Sequence, residues 1–85
     1  MQWKTEYYRM YKILKEIRTQ GISTYRLLSY CGIPHSIGVV MLQKLVKLGF
    51  IESFTEGRAI IWRCTAKGVK LLSEMIGILH RLDIP

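Results

Sequence analysis

Acidic residues, cysteines and long apolar runs are all scarce in this 85-residue chain. No apolar run approaches the ~20 residues that cross a bilayer, and the N-terminus lacks the charged-then-apolar order of a signal peptide. We therefore expect a cytoplasmic protein with no membrane partner. Neither Cys31 nor Cys64 has a histidine or a second cysteine at metal-ligand spacing. Two buried thiols are the favoured interpretation, because a disulfide is unusual in most cytosols, although not in those of hyperthermophiles.

The scarcity of acidic residues leaves a strong positive charge. The 13 Lys and Arg outnumber the 6 Asp and Glu, which gives a formal net charge of +7. Such a charge concentrates polyanions around a protein, so nucleic acid is the first candidate partner and an anionic membrane surface the second. A basic protein that is merely soluble is the alternative. With 49% hydrophobic residues the chain is not disordered, and its length fits one domain over residues 1–85 with a thin core.

Motifs for catalysis are also missing. The histidines, His35 and His80, have no carboxylate or cysteine at a spacing typical of catalysis. No glycine-rich phosphate loop and no paired-carboxylate motif is found. These absences argue against an enzyme and against a metal site. We expect no cofactor, and no small-molecule ligand is evident.

Apolar periodicity and chain-breaking residues divide the chain into short elements. The predicted elements are helices over residues 3–18, 25–31 and 35–48, strands over 50–55 and 59–64, and a last helix over 66–82. The first helix has Trp3, Tyr7, Met10, Leu14 and Ile17 on one face. A run of helices followed by a hairpin predicts an α+β domain in the order helix-helix-helix-strand-strand-helix.

Two turns indicate what this order of elements forms. Gly32 and Pro34 separate the second and third helices by a short turn, which is the pattern of a helix-turn-helix. Glu56-Gly57-Arg58 separates the two strands, and a short loop with a central glycine is typical of a β-hairpin. A helix-turn-helix that leads directly into a hairpin predicts a winged helix-turn-helix fold.

Two passages carry a resemblance to a known family. The first is Leu42-x-x-Leu45-x-x-Leu48-Gly49-Phe50-Ile51-Glu52, and the second is Trp62-Arg63-Cys64-Thr65-Ala66-Lys67-Gly68-Val69-Lys70-Leu71-Leu72. In this order and spacing they resemble the small winged-helix transcription regulators common in archaea and in their viruses and plasmids. The match in element order spans nearly the whole chain. The resemblance implies sequence-specific binding of double-stranded DNA, usually by a homodimer joined through terminal helices.

The outward face of the third helix supplies candidate DNA contacts. Helical spacing puts Ser36, Val40, Gln43, Lys44 and Lys47 on it. Gln43 suits adenine, and Lys44 suits guanine or a phosphate. An ordinary solvated helix face is the alternative. This helix departs from many such proteins because only Ser36 is polar among residues 36–41, and apolar side chains there suit either thymine methyl groups or a protein partner.

The starts of two helices and the hairpin tip offer further candidate contacts. Ser23, Thr24 and Arg26 begin the second helix, where hydroxyls and backbone amides can bind a phosphate. Ser23 can equally serve as a plain N-cap. His35, at the start of the third helix, joins the candidate set, although a lone histidine there is usually a surface residue. Arg58 at the hairpin tip can enter the minor groove or touch its backbone, and its alternative role is to solubilise the turn.

The last helix is more apolar than one small core requires, which predicts a dimer. Its apolar positions run from Val69 to Leu82, and residues 66–82 are expected to form the dimerisation helix. The candidate interface is Leu72, Met75, Ile76 and Leu79, with Trp3 and Tyr7 of the first helix. A two-fold dimer of this kind would present two recognition helices to successive major grooves.

The sequence therefore predicts a homodimeric transcription regulator that binds double-stranded DNA without a cofactor. An architectural or partition protein of the same fold is the nearest alternative, and it differs in whether one site is favoured by several kcal/mol over random DNA. A winged helix used as a protein-interaction module is the other alternative. The apolar residues Val39-Val40-Met41 favour that alternative, which predicts little DNA binding at any salt concentration.

Overall fold

The computed structural model describes the backbone of residues 2–19 and 21–82 and the side chains of residues 6–18 and 21–82. Its elements, in chain order, are α1 (Gln2–Thr19), β1 (Ile22–Ser23), α2 (Thr24–Cys31), α3 (His35–Lys47), β2 (Ile51–Glu56), β3 (Ala59–Cys64) and α4 (Ala66–Arg81). This architecture confirms the predicted α+β winged helix-turn-helix. The predicted helices and hairpin strands agree with the observed ones to within one residue at each end.

The strand β1 is an addition to the predicted order. It pairs antiparallel with β3, with Ile22 opposite Trp62, so the sheet in the described part of the chain has the order β1-β3-β2. A strand this short carries no periodicity that a sequence could show. Gly21 permits the pairing, because a Cβ at that position would lie only 2.6 Å from Cγ2 of Ile61. The strand β1 therefore ties the start of α2 to the hairpin.

The hydrophobic core lies between the helices and the base of the sheet. Its buried members are Ile13, Leu14, Ile17, Ile22, Leu27, Leu28, Cys31, Ile33, Met41, Leu42, Leu45, Ile51, Leu72 and Met75. In α1 the predicted face is confirmed for Leu14 and Ile17, and Ile13 is also fully buried. Tyr7 and Met10 pack against the edge of this core. The side chain of Trp3 lies outside the described residues.

The turn between α2 and α3 sets the angle of the helix-turn-helix. Gly32 adopts a left-handed conformation with φ 66°, and the N–H of Ile33 bonds the carbonyl oxygen of Leu28 at 3.0 Å, which ends α2. Pro34 precedes α3, and its carbonyl oxygen accepts the N–H of Gly38 at 2.8 Å. A Cβ at position 38 would overlap the methyl groups of Leu28, so Gly38 allows the two helices to cross closely.

The two passages that carry the family resemblance meet at the end of α3. Gly49 has φ 82°, and the hydroxyl of Thr65 donates a hydrogen bond of 2.7 Å to its carbonyl oxygen. The same hydroxyl caps α4 by accepting the N–H of Gly68 at 3.1 Å. A Cβ at position 68 would overlap the carbonyl oxygen of Phe50. The chain between α3 and the wing is therefore held against the start of α4.

The hairpin formed by β2 and β3 is the wing, and it stands clear of the core. After Ile51, every residue of β2 is exposed. Glu56 pairs with Ala59, so the turn consists of Gly57 and Arg58, one residue shorter than the predicted loop. A glycine with φ 63° at position 57 suits this tight reversal.

The helix α4 is amphipathic, and its buried side changes the predicted dimer interface. Leu72 and Met75 are each 1% exposed and Leu79 is 5% exposed, all within a single copy of the chain. These side chains have almost no free surface to offer a partner, so we correct their assignment from the interface to the chain's own core. Ile76 is 39% exposed and keeps a surface that a second copy could cover. The width of the apolar face is not evidence of a partner, because the chain's own elements cover the centre of that face.

Candidate nucleic-acid interface

One exposed row of side chains runs along the outer side of α3. Ser36, Val40, Gln43 and Lys47 are separated by four, three and four residues, and all four are exposed. The opposite side of the helix contributes Gly38, Met41, Leu42 and Leu45 to the interior. We call the exposed set the α3 row. It combines one hydroxyl, one amide, one ammonium and one apolar side chain on the exposed side of the helix.

The apolar part of α3 is smaller on the surface than the sequence predicted. Met41 is buried in the core, and Val39 is only half-exposed. Val40 is 60% exposed, and Ile37 lies beside it with 39% of its surface open. A protein-interaction surface at residues 39–41 is therefore less well supported, because Val40 is the main apolar contribution from that segment.

Lys44 lies at the edge of the α3 row and has a partner on another helix. Its Nζ donates to Oε1 of Glu6 on α1 at 3.0 Å, and both side chains are largely exposed. No hydrogen bond or ion pair of Lys47 occurs in the part of the chain that the structure describes. The two lysines therefore differ in how readily each can meet a phosphate.

The start of α2 is held by the sheet. Ser23 occupies the N-cap position with extended backbone angles, but its hydroxyl makes no capping hydrogen bond. The hydroxyl of Thr24 accepts the indole N–H of Trp62 at 2.7 Å, which fixes this corner against the wing. Tyr25 and Arg26, the next two residues, are exposed. Tyr25, at 79%, is the most exposed of the large hydrophobic side chains described.

The wing presents one cation at its tip and uses another at its base. Arg58 is exposed in the turn, next to the exposed Glu56. Arg63 is engaged within the wing, because its Nε bonds Oε1 of Glu52 at 2.9 Å and its guanidinium lies 4.8 Å from the ring centroid of Phe54. Among the wing arginines, Arg58 is thus the better placed to reach outward.

Lysines of α1 pack on tyrosine rings around a small cavity. The Nζ of Lys12 lies 5.0 Å from the ring centroid of Tyr8, and that of Lys15 lies 5.7 Å from the ring centroid of Tyr11. The cavity between α1 and α2 measures about 220 Å³, and its lining also includes Tyr30. This is below the usual range of ligand pockets, about 300–1,000 Å³. Lys12 is half-buried and Lys15 is exposed, so each keeps some surface besides its contact with a tyrosine ring.

Both cysteines are free thiols. Burial raises the pKa of Cys31 to about 11, with a further rise from Glu16 and a lowering by Lys12. Burial also raises the pKa of Cys64, whose thiol donates to the carbonyl oxygen of Leu14 at 3.5 Å. Raised pKa values keep both thiols protonated at neutral pH, where they are weak nucleophiles. The prediction of buried thiols is confirmed for Cys31, while Cys64 is half-buried.

The described residues contain no metal cluster and no membrane span. Among the described side chains, those of residues 6–18 and 21–82, no three His, Cys, Asp or Glu come together in a way that could hold a metal ion. Over the described backbone, residues 2–19 and 21–82, no helix is both long and apolar enough to traverse a bilayer.

The hydroxyl of Tyr7 on α1 is buried without a hydrogen-bond partner among the described residues. Burial raises the pKa of Tyr7, and Glu74 on α4 raises it further. The sequence predicts that Tyr7 meets a second subunit, but its ring packs against the core of its own chain. Tyr7 remains partly exposed. A contact with a second subunit is therefore proposed only for the part of its side chain that its own chain leaves uncovered.

Two contacts at this interface were beyond sequence reasoning. Glu6 is 38 residues from Lys44, and the indole of Trp62 is likewise 38 residues from Thr24. No periodicity links residues so far apart. The exposure of Tyr25 agrees with its position two residues before the buried Leu27, which puts these two side chains on different sides of a short amphipathic helix.

Solved structures with the same fold include regulators and DNA-binding proteins. BldR, a transcriptional regulator from Sulfolobus solfataricus, superposes with a TM-score of 0.83 at 24% identity over 88% of this chain and 56% of its own. The DNA-binding protein Sso10a-2 from the same organism gives 0.80 at 24% identity over 88% of this chain and 78% of its own. Apo MarR from E. coli gives 0.73 at 21% identity over 78% of this chain and 52% of its own.

These similarities support the fold, but they cover only part of the length of the solved proteins. The chain spans little more than half of the length of BldR and of MarR. No protein-family model matches the chain, and no curated protein matches it. Two of these three structural matches are from Sulfolobus solfataricus, and the third is MarR from E. coli. The resemblance to archaeal winged-helix regulators is supported at the level of the fold.

Proposed function

We propose that this chain is a sequence-specific double-stranded-DNA-binding protein that regulates transcription as a homodimer. The observation that carries the proposal is the α3 row, an exposed helix face with an exposed wing following it in the chain. The major groove of B-DNA admits an α-helix, and the second helix of a helix-turn-helix enters it. The formal charge of +7 favours the same partner.

Phosphate contacts would supply most of the affinity. Lys47 and Lys44 extend from α3, and Arg26 extends from the start of α2. Each phosphate that these cations neutralise releases counterions, so binding should weaken steeply as salt rises. Ser23 and Thr24 add backbone amides at the start of α2, and the hydroxyl of Thr24 can still donate after accepting the indole N–H. His35 adds a further donor at the start of α3.

Base reading would come from the middle of the α3 row. The side-chain amide of Gln43 can both donate to and accept from an adenine edge, and the hydroxyl of Ser36 can bond several bases. Val40, with Ile37 beside it, offers methyl groups that fit against thymine methyls. This combination predicts a preference for A·T pairs under α3, since the row has one amide suited to adenine and one apolar contact suited to thymine.

The wing and a second subunit would extend the contact. Arg58, which is exposed at the tip of the wing, would enter or border the minor groove beside the major groove that α3 would occupy. A dimer joined through α4 would add a second copy of each contact at a fixed spacing. Ile76 is the member of the predicted interface that keeps an exposed apolar surface. Trp3, whose side chain is outside the described residues, remains a proposed partner of that surface.

Selection of bound fragments from a random duplex library, followed by sequencing, tests this proposal. A regulator should enrich one motif, and a homodimer should enrich it as an inverted repeat with half-sites about one helical turn apart. Enrichment of A·T-rich or flexible DNA without a motif would favour the architectural alternative. Failure to retain any duplex at low salt would contradict DNA binding and favour a protein-interaction module.

A further inference from the structure

Glu6 holds one of the proposed DNA-contacting cations before any DNA arrives. The ammonium of Lys44 lies 3.0 Å from its Oε1, and the two side chains are 58% exposed for Lys44 and 50% for Glu6. The pair joins α1 to the edge of the α3 row, although neither helix needs it for its core contacts. An ion pair this exposed contributes little to stability, so its effect on binding can exceed its effect on folding.

A DNA phosphate and the carboxylate of Glu6 compete for the same ammonium. For Lys44 to neutralise a phosphate, its hydrogen bond to Glu6 must lengthen or break, and the carboxylate is then left close to a polyanion. An exposed pair is weak enough for a phosphate to displace it, but the displacement lowers the net gain. Lys47, on the same helix, carries no such penalty from a described ion pair.

We propose that Glu6 lowers the affinity for DNA by competing with phosphate for Lys44. This inference rests on the proposed function. Non-specific binding consists almost entirely of phosphate contacts, whereas specific binding also includes base contacts. Withholding Lys44 therefore reduces the favourable free energy of binding on any duplex and leaves the base contacts of the α3 row in place.

A double-mutant cycle tests the competition. The four proteins are the wild type, Glu6→Gln, Lys44→Ala and the double variant, and the probe is a labelled duplex of random sequence. Fluorescence anisotropy gives each dissociation constant at one KCl concentration. Glu6→Gln should tighten binding about 1.5- to 5-fold, the range that an exposed ion pair can account for. When position 44 is alanine, the same change should tighten binding less, by no more than the removal of a distant negative charge does.

A matched control removes the same charge elsewhere on α1. Glu16→Gln also removes one negative charge, but Glu16 lies more than two helical turns from Glu6 along α1. Its effect should be smaller and equal in both backgrounds. Thermal unfolding followed by circular dichroism should give the same midpoint for Glu6→Gln as for the wild type, and Glu6→Ala provides the same test with a different side chain.

The outcomes separate this inference from the proposed function. If Glu6→Gln tightens binding equally in the wild-type and Lys44→Ala backgrounds, Glu6 acts as a general negative charge and the competition is overturned. If the wild type binds duplex and Lys44→Ala binds it with the same affinity, the inference fails, but the proposed DNA binding is not contradicted. If the wild type binds no duplex, both fail. The inference is supported if the effect of Glu6→Gln falls, in the Lys44→Ala background, to the size of the effect of Glu16→Gln.

Discussion

The indole N–H of Trp62 donates a hydrogen bond of 2.7 Å to the hydroxyl of Thr24, and this bond joins the wing to the first residue of α2. Strand β1 precedes Thr24 directly and pairs with β3, so the corner is held by backbone and side chain together. The wing and the helix-turn-helix should therefore move as one unit, which keeps Arg58 at a fixed distance from the α3 row.

The hydrogen bond between Trp62 and Thr24 can be measured as a coupling energy. Trp62→Phe and Thr24→Val should each lower the free energy of unfolding, because each leaves a partly buried polar group without its partner. The double variant should be less destabilised than the sum of the two, by about 0.5–1.5 kcal/mol. Urea unfolding checks this. Strict additivity would mean that the bond contributes nothing to stability.

The close approach of α4 to Phe50 predicts opposite effects at two glycines of that helix. A Cβ at position 68 would overlap the carbonyl oxygen of Phe50, whereas a Cβ at position 77 would meet nothing nearer than the guanidinium of Arg81 at 3.9 Å. Gly68→Ala should lower the free energy of unfolding by about 1–3 kcal/mol through overpacking. Gly77→Ala should raise it by about 0.5–1 kcal/mol through helix propensity. Chemical denaturation of both variants is the measurement, and stabilisation by Gly68→Ala would show that this junction is not as tight as described.

The wing tip carries two opposite charges whose removal should act in opposite directions. Arg58→Ala should weaken duplex binding by roughly tenfold or less, because a single exposed contact contributes about 1 kcal/mol. The loss should be largest on A·T-rich flanks if Arg58 lies in a narrow minor groove. Glu56→Gln should tighten binding slightly by removing a charge that repels phosphate. The measurement is a binding titration of each variant on duplexes with A·T-rich and with G·C-rich flanks. An unchanged affinity of Arg58→Ala on both duplexes would show that the wing does not contact DNA.

The revised interface predicts that substitutions on α4 act in two distinct ways. Ile76→Glu should give a monomer that stays folded, because it places like charges in the dimer contact without disturbing the core. Leu72→Ala should instead destabilise each protomer by about 2–5 kcal/mol, because Leu72 is buried within the chain. Lys70→Glu, on the exposed polar side of α4, should leave the assembly unchanged.

Sedimentation at micromolar concentration gives the mass of each of these variants. A wild-type protein of monomer mass would rule out the dimer and leave Ile76 as an ordinary exposed side chain. It would also remove the reason to expect an inverted-repeat DNA site.

Periodicity and turn chemistry made most of the fold predictable. Gly32, Pro34, Gly49 and Thr65 bound the helices where the sequence indicated, because each enforces or caps a local conformation. The α3 row could be predicted in the same way, since a helical face follows from spacing alone. Such local rules need no knowledge of what packs against the helix.

The features that sequence reasoning missed depend on packing between distant segments. The strand β1 is too short to show a pattern, and the pair between Glu6 and Lys44 joins two helices through residues 38 positions apart. For α4, the spacing of apolar residues correctly predicted an apolar face, but it could not predict which residues pack against that face. Leu72 and Met75 are buried by other residues of the same chain. The width of the apolar face was therefore not evidence for a second subunit.

The most direct test of the central claim, that the α3 row binds duplex DNA, is the salt dependence of binding for Lys47→Ala. The logarithm of wild-type affinity should fall steeply and linearly with the logarithm of KCl concentration. Lys47→Ala should bind more weakly, with a slope shallower by about one, the value expected for one lost phosphate contact. Lys70→Ala, which removes an exposed lysine from α4, should retain the wild-type slope. Equal slopes for the wild type and Lys47→Ala, with the fold intact by circular dichroism, would contradict the assignment of this face to DNA.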